Sequence, residues 1–164
     1  SSFTGLRIGL SCVKGLAYAL DKPVVAVSSL EALASQAAVQ LDAEAGIICP
    51  MLDARKNEVY FSRFSRRNGK LAKIGDEIAL APEKLAGRIE GRCLFVGDGA
   101  LLYKDILKRL FKDSAAFVSP PQNYIRAHTV ALLSLKGFAE NKEENLAGLV
   151  PRYIRKSEAE LHFK

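Results

Sequence analysis

Three apolar runs joined by short polar turns fill residues 46–80, and no other feature constrains the fold of this 164-residue chain as tightly. "GIICPMLDA" is almost wholly apolar, the pattern of a strand covered on both faces. "EVYFSRF" alternates as a half-exposed strand does, and "GKLAKIGDEIAL" follows it after the turn "RRNG". Parallel neighbours need a crossover of a dozen or more residues, and these gaps are far shorter. The three runs therefore predict an antiparallel meander.

Helices and strands alternate after the meander. Pro82 opens a short helix to about Arg88, and "RCLFVGDG" reads as a buried strand ending in glycines. Residues 100–112 form an amphipathic helix with Leu101, Leu102, Ile106, Leu107, Leu110 and Phe111 inside. "AAFVSPP" is a strand and a stop, and residues 126–140 form another helix. The order β-β-β-α-β-α-β-α is that of a ribonuclease-H-like unit with a five-strand sheet. Upstream, residues 4–20 read as a helix, Val24 to Val27 as a strand, and Leu30 to about Asp42 as an Ala-rich helix. Ser28 and Glu31 fit a capping box for that last helix.

This α-β-α series matches the end of a second copy of the unit. Two such lobes side by side make the actin-like ATPase architecture. The fold class expected is thus α/β, with 1–45 as the remainder of a first lobe and 46–140 as a complete second lobe. The tail, 141–164, returns toward the first lobe.

Composition narrows the class of protein. Hydrophobic residues make up 49% and charged residues 26%, enough to bury a core. No apolar run approaches the roughly 20 residues that span a bilayer. Cys12, Cys49 and Cys93 are far apart among apolar neighbours, which predicts buried thiols in a reducing, cytoplasmic setting. The net charge of +6 permits an acidic partner such as RNA. Its cations gather at Arg63, Arg66, Arg67, Lys70 and Lys73, at Lys104, Lys108, Arg109 and Lys112, and at Arg152, Arg155 and Lys156.

Actin-like ATPases cradle phosphate in glycine-rich hairpin turns, where backbone N–H groups converge with no Cβ in the way. Here the equivalent turn, "MLDARKNEVY", has Asp53 but no glycine. Asp53 reads more simply as the organiser of a surface turn. "VGDGA" lies where such enzymes hold adenosine, so Asp53, Gly97, Asp98 and Gly99 are the candidate vestigial nucleotide site. Gly97 and Gly99 also suit any tight strand-to-helix turn. His128 and His162 are 34 residues apart and have no zinc spacing, so no metal site is expected. No serine or cysteine has the neighbours of a catalytic nucleophile, so no catalytic residue is assigned.

The segment "SFTGLRIGLSCVKGLAYAL" resembles the "GPGSFTGLRIG" signature of the bacterial TsaB family, also called YeaZ. "VSSLEALA", "DARKNEVY" and "PRYIRKSEAE" resemble further segments in family order, so the similarity covers almost the whole chain. The family continues upstream through strands beginning "ILAIDTS", and the resemblance implies that these lie before Ser1. It further implies a non-catalytic scaffold without cofactor that binds TsaD directly. TsaC and TsaE complete the set that makes N6-threonylcarbamoyladenosine at tRNA position 37. Contact with tRNA would come through that complex.

The family is also described as glycoprotease-like, although no residue here supplies a peptidase site. An actin-like ATPase or kinase, with its phosphate turn upstream, is the alternative.

The resemblance directs attention to the helix over 4–20. Its Gly5, Ile8, Cys12, Gly15 and Ala19 side is expected against its own sheet. Leu6, Leu10, Val13 and Ala17 are expected to face an upstream helix and TsaD, rimmed by Arg7 and Lys14. An apolar flank left open there predicts self-association, as a dimer or a swapped assembly.

Overall fold

The structure, a computed structural model, describes residues 3–40, 46–67 and 69–155. Two compact units divide the chain, Ser1–Val27 with Ala131–Lys164, and Ser28–Val130.

The second unit is built on a five-stranded sheet. β1 (Ile47–Arg55), β2 (Glu58–Arg67) and β3 (Lys70–Leu80) form the meander, and β4 (Cys93–Val96) and β5 (Ala115–Phe117) complete it in the order β3-β2-β1-β4-β5. β1 pairs antiparallel with β2 and parallel with β4, and β4 pairs parallel with β5. This is the mixed sheet that the element order predicts for a ribonuclease-H-like lobe. β2 and β3 slip register between Phe61 and Arg63, where Gly75 takes a φ of 72°. The slip is a bulge, and only glycine enters that conformation without strain.

Side-chain alternation sends β1 residues to two cores. Ile48 joins Phe64, Leu94, Val96 and Val118 on one face, covered by Leu33, Ala34 and Ala37 of α2 (Ser29–Ala37). Ser28 caps α2 by accepting the Glu31 N–H at 3.4 Å. A 3-10 turn over Ala38–Gln40 extends α2, and Asp42 lies outside the described residues. On the other face Cys49 and Met51 meet Val59, Phe61, Leu85, Cys93 and Phe95. That face is covered by Ala100 of α3 (Asp98–Leu102) and Leu107 of α4 (Lys104–Phe111).

Three expectations are corrected here. The single helix expected over 100–112 breaks at Tyr103, whose ψ of 21° leaves the helical range between α3 and α4. The break turns Leu102 outward, to 61% exposure, instead of into the core. The helix expected from Pro82 to Arg88 is one 3-10 turn over Pro82–Leu85.

The first unit holds α1 (Phe3–Ala19), the C-terminal part of α5 (Ala127–Ala139), and the segments that follow each. No strand forms at Val24–Val27. A strand needs a ladder of partners, and Val24 receives a hydrogen bond from the Glu144 N–H at 2.8 Å. Gly137 of α5 sits against Val25, where an added Cβ would lie 2.5 Å from Cγ1.

Candidate functional site

The four residues of the candidate vestigial nucleotide site come together at the end of β1. The Asp53 N–H donates to Asp98 Oδ1 at 3.0 Å, and Asp53 Oδ1 accepts the Arg55 N–H at 2.9 Å. The Arg55 guanidinium stays outward, 3.5 Å from the other Asp53 oxygen. Arg55, Lys56 and Asn57 all have positive φ, from 54° to 62°. Each such non-glycine residue costs on the order of 1–2 kcal/mol. Asp53 therefore holds a strained turn by its backbone.

The glycines are occupied by packing. A Cβ on Gly97 would lie 2.0 Å from Met51 O, and one on Gly99 would lie 3.0 Å from Leu52 C. Gly97 also has a φ of 112°. Its N–H donates to Asn123 Oδ1 at 2.8 Å, and Asn123 Nδ2 donates to the carbonyls of Ser119 and Pro120. Strand β1, the α3 turn and the 119–123 segment thus lock into one another. Beside them, burial first and then the carboxylates of Asp53 and Glu83 raise the Tyr103 phenol above its ordinary value.

Two amides that the sequence reading passed over organise this region. One is Asn123. The other is Gln36 of α2, whose Nε2 donates to Gln122 O at 2.6 Å and Tyr124 O at 3.0 Å. Its Oε1 accepts the Arg126 N–H at 3.2 Å. The available signal was "SPPQN", a proline-stopped strand followed by turn-forming residues that need external partners.

The candidate interface residues lie on α1, and the chain's own tail meets part of that set. Lys14 Nζ donates to Leu149 O at 3.1 Å and Ala147 O at 3.3 Å. Arg7 Nε donates to the Tyr153 hydroxyl at 2.6 Å, with the guanidinium carbon 5.5 Å from the ring centre. Ala17 is buried and Leu10 half-buried, while Leu6 and Val13 are 43% and 46% exposed. The small-residue side does not make the close packing expected of it. Ile8 is 65% exposed, Cys12 and Ala19 are exposed, and a Cβ on Gly15 would meet nothing within 4 Å. Leu10, Lys14 and Ala17 form the buried or half-buried stripe instead, and Lys14 meets the tail carbonyls.

Cys12 therefore departs from the expectation of buried thiols, whereas Cys49 and Cys93 fulfil it. His128 is exposed, and His162 lies outside the described residues. Among the described residues no cluster of His, Cys, Asp and Glu could hold a metal ion. Nor is any described helix long and apolar enough to cross a membrane.

The family model described as "TsaD: tRNA N6-adenosine threonylcarbamoyltransferase" matches residues 2–163. A Bacillus subtilis protein named tRNA threonylcarbamoyladenosine biosynthesis protein TsaB is 32% identical, over 97% of this chain and 67% of its own length. The Escherichia coli protein of the same name is 28% identical, over 96% of this chain and 68% of its own. The chain thus spans about two thirds of the length of these relatives. Among solved structures, YeaZ from Pseudomonas aeruginosa is similar at a TM-score of 0.76 and 29% identity, over 93% of this chain and 69% of that one. A second structure, titled as an uncharacterized protein with similarity to peptidase YEAZ from Pseudomonas aeruginosa, gives the same TM-score and identity. With matches that run through both α1 and the meander, the chain belongs to the TsaB (YeaZ) family.

Proposed function

We propose that this chain is a non-catalytic scaffold subunit that binds TsaD directly in forming N6-threonylcarbamoyladenosine at tRNA position 37. TsaE joins the larger assembly, which works in the cytoplasm. The observation that carries this reading is the 32% identity to a TsaB protein across 97% of the chain. The site supports it. The glycines of the candidate nucleotide site fill contacts with β1, and the Asp98 carboxylate occupies the Asp53 N–H. Mg-ATP is accordingly expected to give no micromolar titration with the isolated chain.

The partner surface is the outward flank of α1, where Leu6 and Val13 stay exposed beside the anchored Arg7 and Lys14. Leu10, half-buried, and Ala17, buried, belong to the same flank. Without TsaD the same flank self-associates, as a dimer or a swapped assembly. The test is modification of a tRNA transcript by TsaC, TsaD and TsaE with and without this chain. Omission should abolish product, and L6E/V13E should lose TsaD binding by charging an interface. Full modification in its absence, or unchanged TsaD affinity in a folded L6E/V13E variant, would remove the reading.

A further inference from the structure

The structure separates the three basic clusters. In the meander, Arg63 donates to Arg88 O at 2.6 Å, Arg66 to Ala38 O at 3.0 Å, and Lys73 pairs with Glu77 at 3.2 Å. These cations hold the fold. In the tail, Arg152 and Arg155 are exposed or half-buried and engaged, and Lys156 lies outside the described residues.

The cluster on α4 differs. Lys104, Lys108, Arg109 and Lys112 are all exposed, and among the described residues none has an ion-pair partner. Lys104 alone has a contact, its ammonium 5.3 Å from the Phe117 ring centre.

Nine residues, 104–112, carry these four cations against one carboxylate, Asp105. That is a surplus of three in a chain whose whole surplus is six. At roughly 100° per residue Lys104, Lys108 and Arg109 span an arc of about 140°, with Asp105 inside it and Lys112 just past the helix end. Ile106, Leu107, Leu110 and Phe111 take the opposite arc. Leu107 is fully buried, and the Phe111 ring centre lies 5.3 Å from that of Phe95. The helix therefore cannot roll to hide its charges. The helix dipole favours Lys108 and Arg109, in the last turn. It disfavours Lys104, in the first turn, and Lys104 also repels Lys108 four residues on.

We infer that this face of α4 is a docking surface for the phosphate backbone of RNA. The inference rests on the proposed role in tRNA modification and deepens it. A cationic arc suits a polyanion because released counterions drive such binding. No apolar side chain lies within the arc, whereas a protein interface draws its energy from buried aromatic and apolar anchors. The contact carries no sequence information; it positions the RNA while other groups select the base.

The test measures affinity for an unmodified tRNA transcript across a salt series. It uses the full chain alone and assembled with TsaD. K108Q/R109Q should weaken binding about tenfold and lower the salt slope by about 1.5, two phosphate contacts' worth. K22Q/K70Q removes the same charge elsewhere and should change affinity less than about twofold. Thermal melts by circular dichroism confirm that both variants fold.

Unchanged affinity and slope in K108Q/R109Q overturn the inference, as do equal losses in both variants or no tRNA binding in either state. Binding of poly-glutamate in place of tRNA, dependent on Lys108 and Arg109, overturns it in favour of an acidic protein. Modification is followed in parallel. A chain that binds tRNA through α4 but supports no modification refutes the functional reading alone. A chain that supports modification while K108Q/R109Q binds tRNA as wild type refutes the α4 assignment alone.

Discussion

The carboxylate of Asp98, at the start of α3, accepts the backbone N–H of Asp53, at the end of β1, over 3.0 Å. One acid thereby joins the two segments between which this architecture would place a nucleotide. Asp98→Ala leaves that N–H without its partner and should cost about 1 kcal/mol. Asp98→Asn keeps an acceptor and should cost less. Urea midpoints of the two variants distinguish them, and equal losses would mean that the bond contributes nothing.

Gly97 and Gly15 should respond in opposite directions to alanine. At Gly97 a Cβ would overlap Met51 O at 2.0 Å, and the φ of 112° is strained for any L side chain. Gly97→Ala should lose several kcal/mol, on the order of an overpacked core with backbone strain added. At Gly15, in α1, a Cβ meets nothing within 4 Å, so Gly15→Ala should gain about 1 kcal/mol from helix propensity. Thermal melts of both variants check the pair.

Gln36→Ala removes three hydrogen bonds at once, from Gln122 O, Tyr124 O and the Arg126 N–H. The expected loss is about 2–3 kcal/mol, because part-buried backbone groups are left unpaired. Amide exchange should quicken at Arg126, which loses its acceptor. Exchange that rises evenly along the chain would contradict this local role.

The thiols set an alkaline limit. Burial pushes Cys93 from 9.0 up to about 11, and burial first, then Cys93, raises Cys49 against an opposing pull from Arg63. Above the ordinary thiol value the unfolded chain sheds these protons while the folded chain keeps them. Stability is therefore full below pH 9.0, falls above it, and levels off for Cys93 near 11. Denaturation midpoints at rising pH should show this slope, and Cys93→Ala should reduce it. A thiol reagent at neutral pH should modify exposed Cys12 alone until the chain unfolds.

The order of strands β1 to β5 was legible in the sequence. Alternation in "EVYFSRF" and the continuous apolar run before it reflect local periodicity, which strand pairing must respect. The same holds for the cationic and apolar arcs of α4, which follow from helical spacing alone. The family, too, was readable in "SFTGLRIG" and "DARKNEVY".

What tertiary structure decided was which neighbour each residue meets. Val24–Val27 has strand composition but no ladder of partners, because pairing depends on a distant segment. Tyr103 interrupts a sequence whose pattern is helical throughout. The buried or half-buried stripe of α1 includes Lys14, whose ammonium meets carbonyls more than 130 residues away. Gly97 looked fit for phosphate and proved necessary for Met51 O. Periodicity tells a residue which face it shares; only the folded chain supplies what lies across that face.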